Sequence, residues 1–177
     1  MYLPSYDDNR IIKILKECAN TKWEVFSKHN KKPIAEKNIN IRPISNDAFV
    51  KSMASSEGVL CGAGFETPAE ALFLKKKLLV IPMKGQFEQQ CNAAALKEMG
   101  VPVIKSLKKK HLSKIKEWIK LGKVIGVDYP DITEEIVQKI LTEPAPVNGR
   151  EAIQPGRRVY SLKKFKQVTL KKIVPHL

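Results

Sequence analysis

The stretch at residues 58–82, GVLCGAGFETPAEALFLKKKLLVIP, contains the pattern that decides the fold. Two short apolar runs, residues 58–61 and 78–81, flank a glycine-containing turn and a segment with helical spacing. Gly62 and Gly64 permit positive φ and the close approach of a ligand to the backbone. Because a helix N-terminus offers unpaired N–H donors and a partial positive charge, the turn predicts an anion-binding site.

Composition bounds the class of protein. The chain has 177 residues, a hydrophobic fraction of 43% and no run of about 18 apolar residues that could cross a bilayer. Its first residues, MYLPSYDD, lack the regions of a signal peptide, and its three cysteines lack metal-ligand spacing. We therefore expect one main domain, a cytoplasmic location and three reduced thiols.

Positive charge is concentrated in the last part of the chain. The formal net charge is +14; residues 1–104 carry 15 basic against 11 acidic side chains, whereas residues 105–177 carry 17 against 7. This balance favours a polyanionic partner, and we expect an anionic membrane surface with a peripheral location, or simply a solvated basic face. Aromatic residues do not alternate with the basic ones as in a base-stacking platform, so we expect no specific nucleic-acid partner.

Strand and helix patterns alternate along the first hundred residues. Strands are predicted at residues 1–4, 22–28, 39–44, 58–61, 78–82 and 101–104, with helices in most of the intervals between them. This order predicts a Rossmann-like α/β fold, with a mostly parallel sheet, helices on both faces and ligands beyond the carboxyl ends of the strands. Two further helices are predicted at residues 107–122 and 131–141.

The helix after the glycine turn has a marked start. Thr67, Pro68 and Glu70 have the spacing of a capping box, with Thr67 as N-cap and Pro68 at the first helical position. Glu70 then either returns a hydrogen bond to Thr67 or offers its carboxylate to a sugar diol such as a ribose. The turn does not match a dinucleotide fingerprint, because Thr67 replaces the third glycine, and no G-K-[ST] triplet of a P-loop occurs.

A second polar cluster follows the next strand. Glu88, Gln89 and Asn92 lie at a predicted helix start on the same sheet edge, and such side chains read neighbouring sugar hydroxyls. The alternative is a solvent-facing helix terminus. His29 and His111 are interpreted as surface or packing residues, and we predict no metal site and no catalytic residue in this chain.

Residues 58–100 together resemble the donor-binding signature of GT-B glycosyltransferases. The motifs that carry this resemblance are the glycine turn, T-x-x-E, V-I-P and E-Q-x-x-N. The resemblance is nearest to the UDP-N-acetylglucosamine-dependent group that includes the peptidoglycan lipid-intermediate N-acetylglucosaminyltransferase, and it covers about residues 1–104. It implies a UDP-sugar as donor substrate, no cofactor and no metal ion.

The resemblance also implies a role for each matching position. Backbone N–H groups at Gly64, Phe65, Glu66 and Thr67 would face the diphosphate, with the Glu66 side chain pointing away from it or towards the sugar. The other assigned residues are Glu70 for the ribose, Ile44 for the base, Ser5 near the phosphates, and Glu88, Gln89 and Asn92 for the donor sugar.

Members of this group have two Rossmann-like domains, and this chain resembles only the C-terminal one. We therefore expect a fragment of an inverting glycosyltransferase, inactive alone, that lacks its N-terminal acceptor-binding domain. The predicted domains are a donor-binding domain at residues 1–143 and a basic, Pro/Gly-rich extension at residues 144–177. The alternatives are a nucleotide-sugar epimerase of the same fold, a dinucleotide oxidoreductase and a non-enzymatic basic nucleic-acid-binding module.

Overall fold

The computed structural model describes residues 1–142, and the predicted extension at residues 144–177 lies outside them. The chain divides into two compact units, Met1–Asp128 and Tyr129–Leu177. The first contains the strands β1 (Trp23–Ser27), β2 (Ile34–Glu36), β3 (Ile39–Pro43), β4 (Gly58–Cys61) and β5 (Lys77–Val80). Its helices are α1 (Asp8–Leu15), α2 (Asn46–Ser55), α3 (Glu66–Phe73), α4 (Phe87–Glu98) and α5 (Leu112–Leu121), the last preceded by a 3₁₀ turn at Lys109–His111.

Tyr2 joins the strands into one sheet. It forms parallel bridges to Phe26 of β1 and to Cys61 of β4, with hydrogen bonds from Tyr2 N to Leu60 O (3.0 Å) and from Gly62 N to Tyr2 O (3.2 Å). Beyond β5, Val103 forms a parallel bridge to Val80. The sheet therefore runs β2, β3, β1, the Tyr2 segment, β4, β5 and the Val103 segment. Apart from the antiparallel β2, this is the doubly wound order, and the predicted fold class is confirmed.

The predicted outer segments are correct in position but pair less extensively than expected. The segments at Tyr2 and Val103 form single bridges, whereas β1 pairs with β3 over five residues. β2 was not predicted at all. It is three residues long and pairs antiparallel with β3, after Lys37 reverses the chain with φ of 52°. Its exposed residues show no apolar alternation, so nothing in the local pattern indicates a strand.

Helices cover both faces of the sheet, as expected for this fold. On one face, Ile11 of α1 and Ile115 of α5 pack in a cluster with Leu60 and Leu79. On the other face, the cluster contains residues of α2, α3 and α4 with the flanking strand residues: Met53, Ala71, Leu72, Ala93, Leu96, Val59, Cys61, Leu78 and Val80. Successive side chains of β4 and β5 thus enter opposite cores, which explains why both strands are continuously apolar.

The last two predicted helices are both present. In α5, Ile115 and Trp118 are buried, as the apolar stripe of the sequence predicts. The second unit contains α6 (Thr133–Thr142), which begins where Asp131 Oδ1 accepts a hydrogen bond from Thr133 N (3.2 Å). Hydrogen bonding from the Thr133 side chain, and then from its backbone N–H, lowers the pKa of Asp131. Within residues 1–142, every helix is too short or too polar to span a membrane. The predicted domain boundary at residue 143 stays a prediction.

Candidate functional site

The candidate site lies where the strand order reverses. The Tyr2 segment and β4 are neighbours, and their chains continue into α1 and α3 respectively. α1 packs on one face of the sheet and α3 on the other. Two adjacent parallel strands whose helices leave to opposite faces open a crevice at their carboxyl ends, which is the usual ligand position in a doubly wound fold.

The glycine turn after β4 is open above its backbone. A Cβ atom added at Gly64 would meet nothing within 4 Å, whereas one at Gly62 would lie 3.5 Å from Gln89 Oε1. Neither glycine has positive φ; among the glycines of residues 1–142 only Gly85 and Gly100 do. The positive φ that Gly62 and Gly64 would permit is therefore not used, and Gly64 provides free space over the backbone instead.

The capping-box prediction for α3 is wrong. The N-cap is Phe65, which already has a helical backbone (φ −85°, ψ −53°), and its carbonyl accepts a hydrogen bond from Ala69 N (3.4 Å). Thr67 is therefore the second helical residue rather than the cap, and α3 has no side-chain cap hydrogen bond. The helix begins one residue before Thr67, since Phe65 already has helical backbone angles.

Without a capping box, the Glu70 carboxylate has no structural task. It is exposed on α3 and makes no hydrogen bond or ion pair with any residue in the described range 1–142. Glu66, at the first position of α3, is also exposed and makes no such contact there. Two carboxylates near the start of one helix are thus available to a ligand.

Hydrogen bonds from α4 tie the second polar cluster to the glycine turn. Asn92 Nδ2 donates to Ala63 O (3.1 Å) and to Glu88 Oε1 (3.4 Å). Gln89 Oε1 accepts from Met83 N (2.9 Å), and Gln90 Nε2 donates to Met83 O (3.0 Å). The start of α4 is therefore hydrogen-bonded both to the β4–α3 turn and to the β5–α4 loop. Glu88, Gln89 and Asn92 come together with the glycine turn.

These bonds decide which polar atoms remain free. Asn92 uses its amide nitrogen on the protein and keeps Oδ1 as an acceptor, while Gln89 uses Oε1 and keeps the two donors of Nε2. Glu88 keeps Oε2. One carboxylate oxygen, one amide oxygen and one amide nitrogen can thus contact neighbouring hydroxyl groups.

The remaining predicted residues occupy the same edge of the sheet. Ser5 is exposed just after the Tyr2 segment, and Ile44, 49% exposed, directly follows β3. Phe65, 79% exposed, projects from the glycine turn. The structure gives these positions without a ligand, so the individual roles stay predictions.

Sequence reasoning missed the part played by the loop between β5 and α4. The backbone of Met83 is held on both sides by glutamines of α4, and the adjoining Lys84 is an exposed cation at the carboxyl end of β5. Backbone contacts of this kind leave no trace in residue type. The sequence signal for this loop was the Lys84–Gly85 pair, because glycine is typical of exposed turns. In the structure Gly85 has φ of 80°.

Cys61, the last residue of β4, is held in its protonated form. Burial raises the pKa of Cys61, at the end of β4, to about 12, so its thiol stays protonated at neutral pH. Within residues 1–142, no three His, Cys, Asp or Glu side chains are grouped so that they could hold a metal ion. A cavity of about 450 Å³ lined by Trp23, Gly58 and Trp118 lies at the amino-terminal edge of the sheet, opposite this site.

The fold and site together define a doubly wound α/β domain with a crevice at its strand reversal. The sequence model of glycosyl transferase family 1 matches residues 1–121, a span that contains the whole crevice. The chain therefore belongs to glycosyl transferase family 1. No curated protein sequence matches it.

Proposed function

We propose that the chain is the donor-binding part of an inverting glycosyltransferase that holds a UDP-sugar in this crevice, with N-acetylglucosamine as the sugar. Membership of glycosyl transferase family 1 supports glycosyl transfer. The observation that carries the finer assignment is the hydrogen bond from Asn92 Nδ2 to Ala63 O (3.1 Å), because it joins the phosphate-type turn to the sugar-type cluster.

The diphosphate occupies the open space above Gly64. Backbone N–H groups from Gly64 to Thr67 are at or before the first turn of α3, where they lack intrahelical acceptors. They donate to the phosphate oxygens, and the helix dipole adds a partial positive charge. Stabilisation of the departing diphosphate by these donors needs no metal ion.

The nucleoside extends from the turn towards β3. The unpaired Glu70 carboxylate accepts hydrogen bonds from the two ribose hydroxyls, which a carboxylate fits well. Ile44, exposed directly after β3, contacts the base through its main chain, and Ser5 approaches the phosphates from the Tyr2 side of the crevice.

The donor sugar contacts the start of α4. Glu88 Oε2, Asn92 Oδ1 and Gln89 Nε2 are the polar atoms that the protein leaves free there. Two acceptors and one donor in fixed positions can distinguish the orientation of adjacent sugar hydroxyls. The hydrogen bonds to Ala63 O and Met83 N hold these side chains ready before the sugar binds.

The donor assignment is tested by thermal unfolding with UDP, UDP-N-acetylglucosamine and NAD. A ligand that binds only the folded state stabilises it by roughly 2.7 kcal/mol at 100 times its dissociation constant. We expect UDP and UDP-N-acetylglucosamine to raise the melting temperature and NAD to leave it unchanged. A shift with NAD and none with UDP would assign the crevice to a dinucleotide and overturn the proposal.

A further inference from the structure

We propose that the surface formed by residues 105–123, called here the lysine surface, docks on an anionic lipid bilayer. It comprises the segment after Ile104, the 3₁₀ turn Lys109–His111 and α5 with its C-terminal end. The proposal concerns a different part of the first unit from the donor crevice and does not depend on the identity of the donor.

The first observation is uncompensated charge. Residues 105–123 contain eight lysines and a single acidic residue, Glu117. All eight lysines are exposed, and none of their ammonium groups forms an ion pair or hydrogen bond with a residue in the range 1–142, where the ion pairs are Lys16–Glu36 and Glu24–Arg42. One helical turn spans about 5.4 Å, which is shorter than the Debye length of about 8 Å at physiological salt, so lysines one turn apart act on a surface together.

The second observation is the effect of these charges on His111. Burial lowers the pKa of His111 below its ordinary value of 6.5, and four lysines lower it further: Lys110, Lys114, Lys105 and Lys108. Residues on both sides of the 3₁₀ turn and on α5 therefore contribute to one positive field. The lysines are the source of this field.

The third observation is exposed apolar surface beside the charge. Leu121, 65% exposed, lies seven residues after Lys114, which is about two helical turns and hence the same side of α5. Lys110 precedes Lys114 by four residues, and Val124, 47% exposed, follows Lys123 directly. Lysines around exposed aliphatic side chains match a bilayer surface, where ammonium groups contact anionic head groups and aliphatic groups enter the acyl boundary.

Nucleic acid fits the same surface less well. Single-stranded nucleic acid is held by exposed aromatic side chains on which bases stack, in addition to positive charge. Between residues 105 and 123 the one aromatic residue among Phe, Trp and Tyr is Trp118, and it is buried. Exposed leucine and valine have no comparable use on a polynucleotide.

Sedimentation of the full 177-residue chain with vesicles tests the proposal. The vesicles contain phosphatidylcholine alone or phosphatidylcholine with phosphatidylserine, each at low and high salt. We expect binding that requires phosphatidylserine and weakens with salt. Replacing Lys109, Lys110 and Lys114 by Glu is expected to lower the partition coefficient on the order of a hundredfold or more, because each basic residue near such a surface is worth about 1 kcal/mol.

Two control variants carry the same change of net charge elsewhere. Lys28, Lys31 and Lys32 are exposed in the loop after β1, and Lys163, Lys164 and Lys166 lie outside the described residues. Each triple replacement by Glu is expected to lower binding by less than about tenfold, well short of the hundredfold loss from the lysine surface.

A further variant, Leu121→Ser, is expected to weaken binding about tenfold without reducing the melting temperature, since Leu121 is already exposed.

Four results would overturn the proposal. They are an absence of binding to phosphatidylserine vesicles, binding that ignores salt, a variant of the lysine surface that binds as well as the parent, and a greater loss from the Lys163, Lys164 and Lys166 variant. Salt-dependent retention of an RNA homopolymer that the lysine-surface variant abolishes, without vesicle binding, would assign the surface to nucleic acid. Melting temperatures and UDP binding of all variants show that each is folded, and keep this test separate from that of the donor site.

Discussion

Glu70 is the residue on which the proposed ribose contact depends. Its carboxylate is exposed and unpaired within residues 1–142, and α3 begins without a capping box, so Glu70→Gln removes no hydrogen bond of the folded protein. Hydrogen bonds to charged groups are worth about 1.5–3 kcal/mol, and UDP affinity is therefore expected to fall about tenfold or more. Isothermal calorimetry measures the affinity, and thermal unfolding is expected to show no change.

Glu66→Gln is the matched control for this prediction. Glu66 is an equally exposed carboxylate on the same helix, and only its backbone N–H is assigned to the diphosphate. Removing its negative charge is expected to leave UDP affinity unchanged or slightly improved. Equal losses for the two variants would mean that the effect is one of helix charge rather than of a ribose contact at Glu70.

Replacement by alanine is predicted to have different effects on stability at Gly58, the first residue of β4, and at Gly64 in the turn after it. A Cβ at Gly58 would lie 2.9 Å from Trp118 Cζ2 and 3.1 Å from Lys77 O, a backbone atom of the neighbouring strand, so both neighbours would have to shift. Gly58→Ala is expected to lower the free energy of unfolding by about 1–3 kcal/mol, measured by urea denaturation.

Gly64→Ala has neither a steric nor a conformational obstacle in the free protein. The Cβ would enter open space at a φ that is not positive, so stability is expected to hold or to rise by about 0.4–1 kcal/mol. The same methyl group would occupy the position proposed for the diphosphate, and UDP binding is expected to weaken severalfold. Unchanged UDP affinity would show that the diphosphate does not occupy the space above this turn.

At the scale of elements, the connection between α4 and the glycine turn is the decisive contact. Asn92→Ala removes the hydrogen bond to Ala63 O (3.1 Å) and is expected to lower the free energy of unfolding by about 1 kcal/mol. It also removes the free Oδ1 proposed to face the sugar. UDP-N-acetylglucosamine is therefore expected to lose more affinity than UDP in calorimetry.

Gln90→Ala is the comparison for Asn92→Ala. Gln90 is an exposed residue of the same helix whose bond to Met83 O serves the β5–α4 loop, and surface changes of this kind are usually within about 0.5 kcal/mol. If Asn92→Ala weakens the binding of UDP and of UDP-N-acetylglucosamine equally, Asn92 does not contact the sugar. Its role is then only to connect α4 to the glycine turn.

At the scale of the whole molecule, the proposed role is binding without turnover. We propose that the acceptor site and the catalytic base are supplied by a further domain, as the family resemblance implies, and burial keeps Cys61 protonated. The 177-residue chain is therefore expected to bind UDP-N-acetylglucosamine and to transfer no sugar, as measured with labelled donor and a panel of acceptors. Transfer by the purified chain would contradict this; slow hydrolysis of the donor would not.

Local pattern was sufficient for the fold class and for most elements. The continuous apolar runs of β4 and β5 and the spaced apolar positions of α1 and α5 depend on periods of two and about 3.6 residues, which can be read without any tertiary contact. The order of strands and helices then predicted a parallel sheet covered on both faces, and the structure confirms it. Motif spacing predicted Glu70, Glu88, Gln89 and Asn92 as site residues, whereas Ser5 and Ile44 were predicted from the family resemblance alone.

Tertiary structure decided how the site is assembled. Gly62 N bonds to Tyr2 O across the strand reversal, and Asn92 reaches Ala63 O from 29 residues away; both pairings depend on which strands are neighbours. The start of α3 also differed from its motif, because Phe65 adopts a helical conformation in the context of the turn and leaves Glu70 unpaired. Sequence by itself determined the residue types at the crevice and the elements that carry them. Which of their atoms remain free for a ligand depends on hydrogen bonds between segments far apart in the chain, and only the tertiary structure decides those.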